Sequence, residues 1–141
     1  MNNETAQIAL SSLETLPAFL SHLALAFALT LAFLAIYTLV TPQREFTLIR
    51  AGNVAASAAL AGSLLGFVAA MMSAIAHSVS LLDCAIWGGI ALLVQLLAFM
   101  VIRILMRNIV GEIEQGNAAV GILLGVVSLA AGLLNAACMT Y

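Results

Sequence analysis

The polar side chains that could do chemistry or bind a ligand lie inside long apolar segments of the sequence. Thr30, Ser63, Gln95 and Ser128 each fall near the centre of a different uncharged segment. An unpaired amide such as that of Gln95 is costly in hydrocarbon, so it must bind a partner group or water. Two interpretations remain open: these residues form hydrogen bonds between helices, or they line a hydrated path for an ion or a solute.

The ionisable residues lie outside the centres of these segments. The sequence shows no nucleophile–base pair, no glycine-rich phosphate loop and no metal-ligand spacing. Most intramembrane enzymes, pumps and proton-coupled carriers place charges at the membrane centre for their chemistry. We therefore expect no catalytic residue, no metal and no cofactor. A net charge of −2 without any lysine also argues against nucleic acid as a partner.

The composition predicts that lipid is the solvent for most of the chain. Hydrophobic residues make up 65% of the 141 residues and charged residues 7%, whereas soluble domains are about half apolar and a quarter charged. We expect an all-α integral membrane protein with a single membrane domain over residues 1–141. Transmembrane helices are predicted at 18–40, 54–76, 85–106 and 118–139. They follow a lead-in over 1–17, with Pro17 in a first helical turn.

Three residues are predicted to begin helices as N-caps, because their side chains can accept a hydrogen bond from an unpaired backbone N–H. Asn53 and Asn117 precede the second and fourth segments, and Asp83 precedes the third. As an alternative, Asn53 and Asn117 could present helix N-termini to a phosphate group. Cys84 and Cys138 both lie toward one membrane side, where an oxidising compartment could join them; the sequence does not fix the packing that a disulfide needs.

All four basic residues follow the first and third segments. Arg44, Arg50, Arg103 and Arg107 lie in or beside the two connectors there. The excess of arginine in cytoplasmic loops predicts that both connectors face the cytoplasm and that both chain ends face outward. The predicted interfaces also hold the aromatic residues of a membrane belt, Tyr37, Trp87 and Tyr141.

An internal similarity organises the chain. The stretch from Gly52 to Gly66 recurs in altered form from Gly116 to Ala130, 64 residues later. Each copy would hold two spans, so both would enter the membrane in the same direction. We predict two tandem parallel two-helix repeats, over about 18–76 and 85–139, related by a pseudo-two-fold axis along the membrane normal.

Small residues form a stripe along the second and fourth segments. Gly62 and Gly66 form one G-x-x-x-G pair, and Gly121 and Gly125 form another, with Gly132 on the same face as the latter. Such faces allow close approach of helix backbones. They serve either packing within one chain or a homodimer interface. The stripes occupy different faces after the 64-residue offset, so we expect them to contact different neighbours.

The motif order resembles the YjfL-like family of small bacterial inner-membrane proteins, catalogued as a domain of unknown function, family 350. The resemblance covers the chain from about residue 20 to its end. It implies a four-span protein of the bacterial inner membrane, no established activity, and an association with envelope-stress genes. It rests on Thr41-Pro42, Glu45, Leu48-Ile49, Gly52-Asn53, Ala55-Ala56, the run from Trp87 to Leu92, Gln95, the run from Gly116 to Ala119 and the run from Asn135 to Tyr141.

The sequence favours a non-enzymatic membrane module that assembles with itself as a homo-oligomer or with another cytoplasmic or membrane protein. An association with envelope maintenance is the physiological role that the resemblance suggests. The alternative is a small channel or carrier that uses the polar residues at the centres of the spans. The predicted docking surface for a cytoplasmic partner comprises Arg44, Glu45, Arg50 and Arg107, with Glu112 and Glu114 nearby.

Overall fold

The computed structural model describes residues 3–42 and 44–140. Gln43, at the start of the first connector, and Tyr141, assigned to the aromatic belt, lie outside the described residues. The chain forms helices throughout, in the order α1 (Asn3–Val40), α2 (Glu45–Arg50), α3 (Val54–His77), α4 (Leu81–Leu105), α5 (Ile109–Glu114) and α6 (Ala118–Cys138).

Four of these helices, α1, α3, α4 and α6, are long and apolar enough to cross a membrane. The prediction of an all-α membrane protein with four spans is therefore confirmed. The prediction that Pro17 lies in a first helical turn was wrong, since α1 begins at Asn3 and contains Pro17 in its interior. Upstream of Pro17, the hydroxyl of Ser11 donates to the carbonyl of Ile8, 2.9 Å away and one turn earlier, as expected for a residue inside a helix.

The two halves of the chain have the same order of elements and the same turns. Each short helix, α2 or α5, ends in a glycine with a positive φ, 84° at Gly52 and 82° at Gly116. Asn53 donates its backbone N–H to the Leu48 carbonyl at 2.9 Å, and Asn117 donates to that of Glu112 at 2.9 Å. These bonds form the Schellman motif, in which glycine takes the left-handed position without steric cost. An origin of this similarity in duplication remains a prediction.

The core lies between α3 and α6, which share the most extensive helix contact in the structure. Helix α4 packs on both of them, and α1 lies against α4 and α3. Half of the α3 span, 50%, is buried inside the protein, against 11% of the α1 span. The bundle therefore has a tightly enclosed central pair and one helix, α1, that exposes most of its apolar surface to lipid.

The two ends of the bundle differ in their connections. The connector end, as we call it, holds α2, α5 and the start of α3 and α6. The hinge end holds the short link over 78–80 between α3 and α4. Ser80, not Asp83, is the N-cap of α4, because the helix begins at Leu81 and the Ser80 hydroxyl accepts the N–H of Asp83 at 3.2 Å. The Asp83 carboxylate instead accepts the N–H of Val79 at 3.0 Å, so the two side chains secure this turn reciprocally.

Candidate functional site

The small-residue stripes of α3 and α6 face each other along the centre of the bundle. A methyl group added to Gly62 would collide with the backbone of Gly125, and one added to Gly132 would collide with the backbone of Gly66. Gly121 is in the same close contact with the backbone of Ala55. Both stripes are therefore occupied by packing within the chain. The two stripes form a single interface, which we call the seam, so the expectation that they contact different neighbours was wrong. Each backbone can approach the other only if both helices present a small face.

Gln95 of α4 closes this seam from the side. Its side chain is 1% exposed. Its Nε2 donates to the Ser63 carbonyl on α3 at 3.0 Å and to the Ser128 carbonyl on α6 at 2.9 Å. A Cβ added to Gly66 would lie 2.6 Å from this nitrogen, so the glycine makes room for the amide. Gln95 thus connects three helices through both of its N–H groups.

The structure brings together three of the four residues that the sequence places at the span centres. The hydroxyl of Ser63 donates to the hydroxyl of Tyr37 at 3.2 Å, which adds α1 to the same polar cluster. The hydroxyl of Ser128 is buried and has no hydrogen-bond partner among the described residues. Thr30 is not part of the cluster, since its hydroxyl donates to the Ala26 carbonyl of its own helix at 2.7 Å.

Tyr37 is the residue of this cluster that sequence reasoning assigned elsewhere. It is 0% exposed and lies within the core instead of an aromatic belt at the interface. Its ring contacts those of Phe33 and Phe99, with ring centroids 5.5 and 5.7 Å apart. The spacing of Phe33, Tyr37 and Thr41 by four residues places them on one face of α1. That periodicity was the signal that could have identified the face by which α1 packs.

The two asparagines that begin α3 and α6 have different contacts. Asn53 caps α3, because its Oδ1 accepts the N–H of Ala56 at 2.9 Å. Its Nδ2 also donates to the carbonyl of Ile113 at 2.7 Å, which ties α3 to the short helix α5 of the other half. Asn117 occupies the N-cap position of α6, but its side chain makes no capping bond within the described chain. Its amide donates instead to the Glu112 carboxylate at 2.8 Å.

The connector end holds the residues predicted to bind a partner. Arg44, Arg50 and Arg107 are exposed. Glu45 is only 2% exposed, so its assignment to the docking surface was wrong. The reason is that Glu45, the first residue of α2, turns inward and interacts with Thr41 at the end of α1, whereas Arg44 and Arg50 are exposed to solvent.

A cavity of about 420 Å³ lies between the two connectors and opens to solvent. It adjoins the hydrogen bond between Asn53 and Ile113, and residues from both halves of the chain line it. Its lining residues are Leu48, Ala51, Gly52, Asn53, Val54, Glu114, Gln115, Gly116 and Ala118.

The described residues do not offer the donors of a metal centre. No group of three or more His, Cys, Asp and Glu side chains converges within residues 3–42 and 44–140. Cys84 is buried and Cys138 is exposed, and both are free thiols. The sequence left open whether a disulfide joins them, and in this structure the two cysteines are not bonded to each other.

Comparisons with known proteins place this arrangement among uncharacterised membrane proteins. The family model described as Domain of Unknown Function (DUF350) matches residues 11–139. The UPF0719 inner membrane protein YjfL of Escherichia coli K12 is 43% identical over 129 residues, which cover 92% of this chain and 98% of the relative. The UPF0719 transmembrane protein YshE of Bacillus subtilis 168 is 31% identical over 107 residues, which cover 74% of this chain and 80% of the relative. No solved structure matches the chain.

Proposed function

The chain belongs to the DUF350 family, and we propose that it is a non-enzymatic module of the bacterial inner membrane that binds a partner protein through its connector end. The location follows that of the Escherichia coli relative, which is named an inner membrane protein. The observation that carries the proposal is the contrast between the two parts of the molecule. The interior at Gln95 is closed by backbone packing, whereas exposed charge is concentrated on the connectors.

We propose that the connector end faces the cytoplasm, with both chain ends on the outer side. Arg44, Arg50, Arg103 and Arg107 all lie at the connector end of the bundle. Arginine near the ends of membrane spans is retained on the cytoplasmic side. A cytoplasmic partner would then meet the exposed side chains of Arg44, Arg50 and Arg107, and an acidic surface fits that charge.

Self-association into a homo-oligomer is the second part of the proposal. The glycine stripes are used between α3 and α6, so a second copy would have to contact a lipid-facing surface. Helix α1 offers the largest such surface. Apart from the buried face with Phe33 and Tyr37, many of its apolar side chains are exposed, for example Phe27 at 62% and Leu31 at 64%. A role in envelope maintenance is the setting that we propose for such an assembly.

A photo-crosslinking experiment in living bacteria tests the partner. A photoreactive amino acid replaces Arg50 at the connector end, and in a matched strain it replaces Val79, an exposed residue of the hinge end. We expect a discrete crosslinked protein with the Arg50 probe and none with the Val79 probe. Its abundance should fall when Arg44 and Arg107 are both changed to Gln. Crosslinks to lipid alone at both positions would contradict the proposal.

The alternative function, a small channel or carrier, is favoured by one observation. The Ser128 hydroxyl is buried without a partner in the described part of the chain, beside the carbonyl that Gln95 binds. A buried hydroxyl in that state is a position where bound water is expected. Flux of protons and of sodium into proteoliposomes, compared between the wild type and Gln95→Leu, decides between the functions. A flux that depends on Gln95 would favour the channel.

A further inference from the structure

Glu45 is a carboxylic acid in a position that packing does not require to be acidic. Its side chain is 2% exposed, and Oε1 has no hydrogen-bond partner among the residues that the structure describes. Burial raises the pKa of the Glu45 carboxyl, and the Thr41 hydroxyl nearby lowers it only in part. A buried polar atom without a partner is a cost that folded proteins rarely retain without a use.

The second half of the molecule provides an internal comparison. Ile109 is the first residue of α5, as Glu45 is the first residue of α2, and the two are 64 residues apart. Ile109 is 1% exposed, so both residues anchor their short helix in the core. An isoleucine at this position meets the demand of packing without any polar atom. The carboxyl of Glu45 therefore gives α2 an ionisable group that docking of the helix does not need.

The charged groups around Glu45 lie toward the solvent. Among the described residues that line a small open cavity beside Glu45, Arg44 is the one other charged side chain. Helix α3, on which α2 packs, carries His77 as its one titratable residue, and this lies at the opposite end of the bundle. On α1, the Thr41 hydroxyl donates to the Tyr37 carbonyl at 2.8 Å, and the Tyr37 hydroxyl is occupied by Ser63. Arg44 and Arg50 flank Glu45 along the chain, but both are exposed to solvent.

We propose that Glu45 is a proton-binding site that controls the docking of α2 on the bundle: protonated Glu45 holds the helix in place, and ionised Glu45 releases it. The element that would move is small, because α2 has six residues and packs chiefly on α3. Release of α2 would displace Arg44 and Arg50, which belong to the docking surface proposed above. The inference rests on that proposed function for its physiological meaning only.

The direction of the pH dependence follows from linkage. The docked helix has the raised pKa, so docking binds a proton. Docking is strongest below the ordinary pKa of a glutamic acid. It weakens as the pH rises through the raised pKa and is constant above it. Each unit by which burial raises the pKa changes the docking equilibrium about tenfold across this window.

Distances between spin labels in lipid nanodiscs test the inference. The native cysteines are replaced by alanine, and labels are attached through Thr47→Cys on α2 and Ala119→Cys on α6, both exposed positions. We expect a single short distance at pH 4.5 and a growing population of longer distances at pH 8. A second pair, Val54→Cys on α3 and Glu114→Cys on α5, reports the other half and should not respond to pH.

Three variants decide whether Glu45 is the proton-binding group. Glu45→Ile copies the other half and should keep the α2 distance short at every pH. Glu45→Gln keeps the shape of the side chain and should remove the pH response. It provides the same test if Glu45→Ile fails to fold. Ile109→Glu should transfer a pH response to the α5 pair. An unchanged distance in the wild type between pH 4.5 and 8, or a response that survives in Glu45→Gln, would overturn the inference. Loss of the partner crosslink alone would overturn only the proposed function.

Discussion

The two halves of this protein share a backbone plan, but side chains at equivalent positions make different contacts. The turns after α2 and α5 have the same glycine conformation and the same backbone hydrogen bonds. At these turns, however, Asn53 caps a helix and binds the opposite half, whereas Asn117 binds Glu112. The comparison teaches that backbone bonds alone maintain the repeated geometry, which leaves each side chain free to take a separate role.

The same contrast holds inside the membrane. Gly62 lies in the central seam, and the residue 64 positions later is Val126, which is 58% exposed. Gln95 bridges α3 and α6, and the residue 64 positions earlier is Leu31, which is 64% exposed. Exchanging residues between such equivalent positions therefore tests which half determines a contact.

The largest effect is expected from Gly62→Val, which installs the side chain of the second half in the seam. The new Cβ would collide with the backbone of Gly125, which cannot move aside as a side chain can. We expect a loss of about 3 kcal/mol or more in the free energy of unfolding, measured by denaturation with sodium dodecyl sulfate. The matched control Val126→Gly changes a lipid-facing residue and should cost about 1 kcal/mol through helix propensity. Equal losses would contradict the conclusion that Gly62 lies in the seam whereas Val126 lies outside it.

Asn53→Ala should cost clearly more than Asn117→Ala. The first change removes a helix cap and the bond to the Ile113 carbonyl, for an expected loss of about 2 kcal/mol. The second removes a bond between two side chains at the surface and should cost about 0.5 kcal/mol. The same denaturation assay measures both. A larger loss for Asn117→Ala would contradict the conclusion that Asn53 makes the stabilising contact between the two halves.

Gln95→Leu introduces the residue of the first half and should cost about 1 kcal/mol. Both carbonyls that Gln95 binds belong to helical residues, so the change removes two interhelical bonds without creating an unpaired amide. Leu31→Gln is the reciprocal control, and it should lower stability because it places an amide in lipid. If Gln95→Leu were more stable than the wild type, the amide would be retained for a reason other than packing.

The smallest effect is expected from Glu45→Ile, and it depends on pH. At pH 8 the change removes an ionised carboxyl from a buried site, so the variant should be more stable than the wild type by about 1 kcal/mol. At pH 4.5 the wild-type carboxyl is closer to neutral, because burial raises its pKa, and the advantage should shrink. Thermal unfolding in detergent at the two pH values measures the difference. A pH-independent advantage would show that packing, not charge, explains it.

The sequence by itself determined the class of fold, the number of spans and where the spans begin and end within a few residues. These features depend on composition, on runs of apolar residues and on local turn chemistry, which need no knowledge of distant contacts. The exception is α1, which extends beyond its predicted start because the residues before Pro17 are part of the same helix.

The tertiary structure decided which faces meet. The glycine stripes, the buried Tyr37, the bridging Gln95 and the burial of Glu45 all follow from the rotation of each helix about its axis. Periodicity identifies a small or polar face but does not say which helix that face contacts, because lipid and protein are equally apolar neighbours. Only the packed bundle shows that Gly62 faces Gly125 and that α2 anchors itself with an acid where α5 uses Ile109.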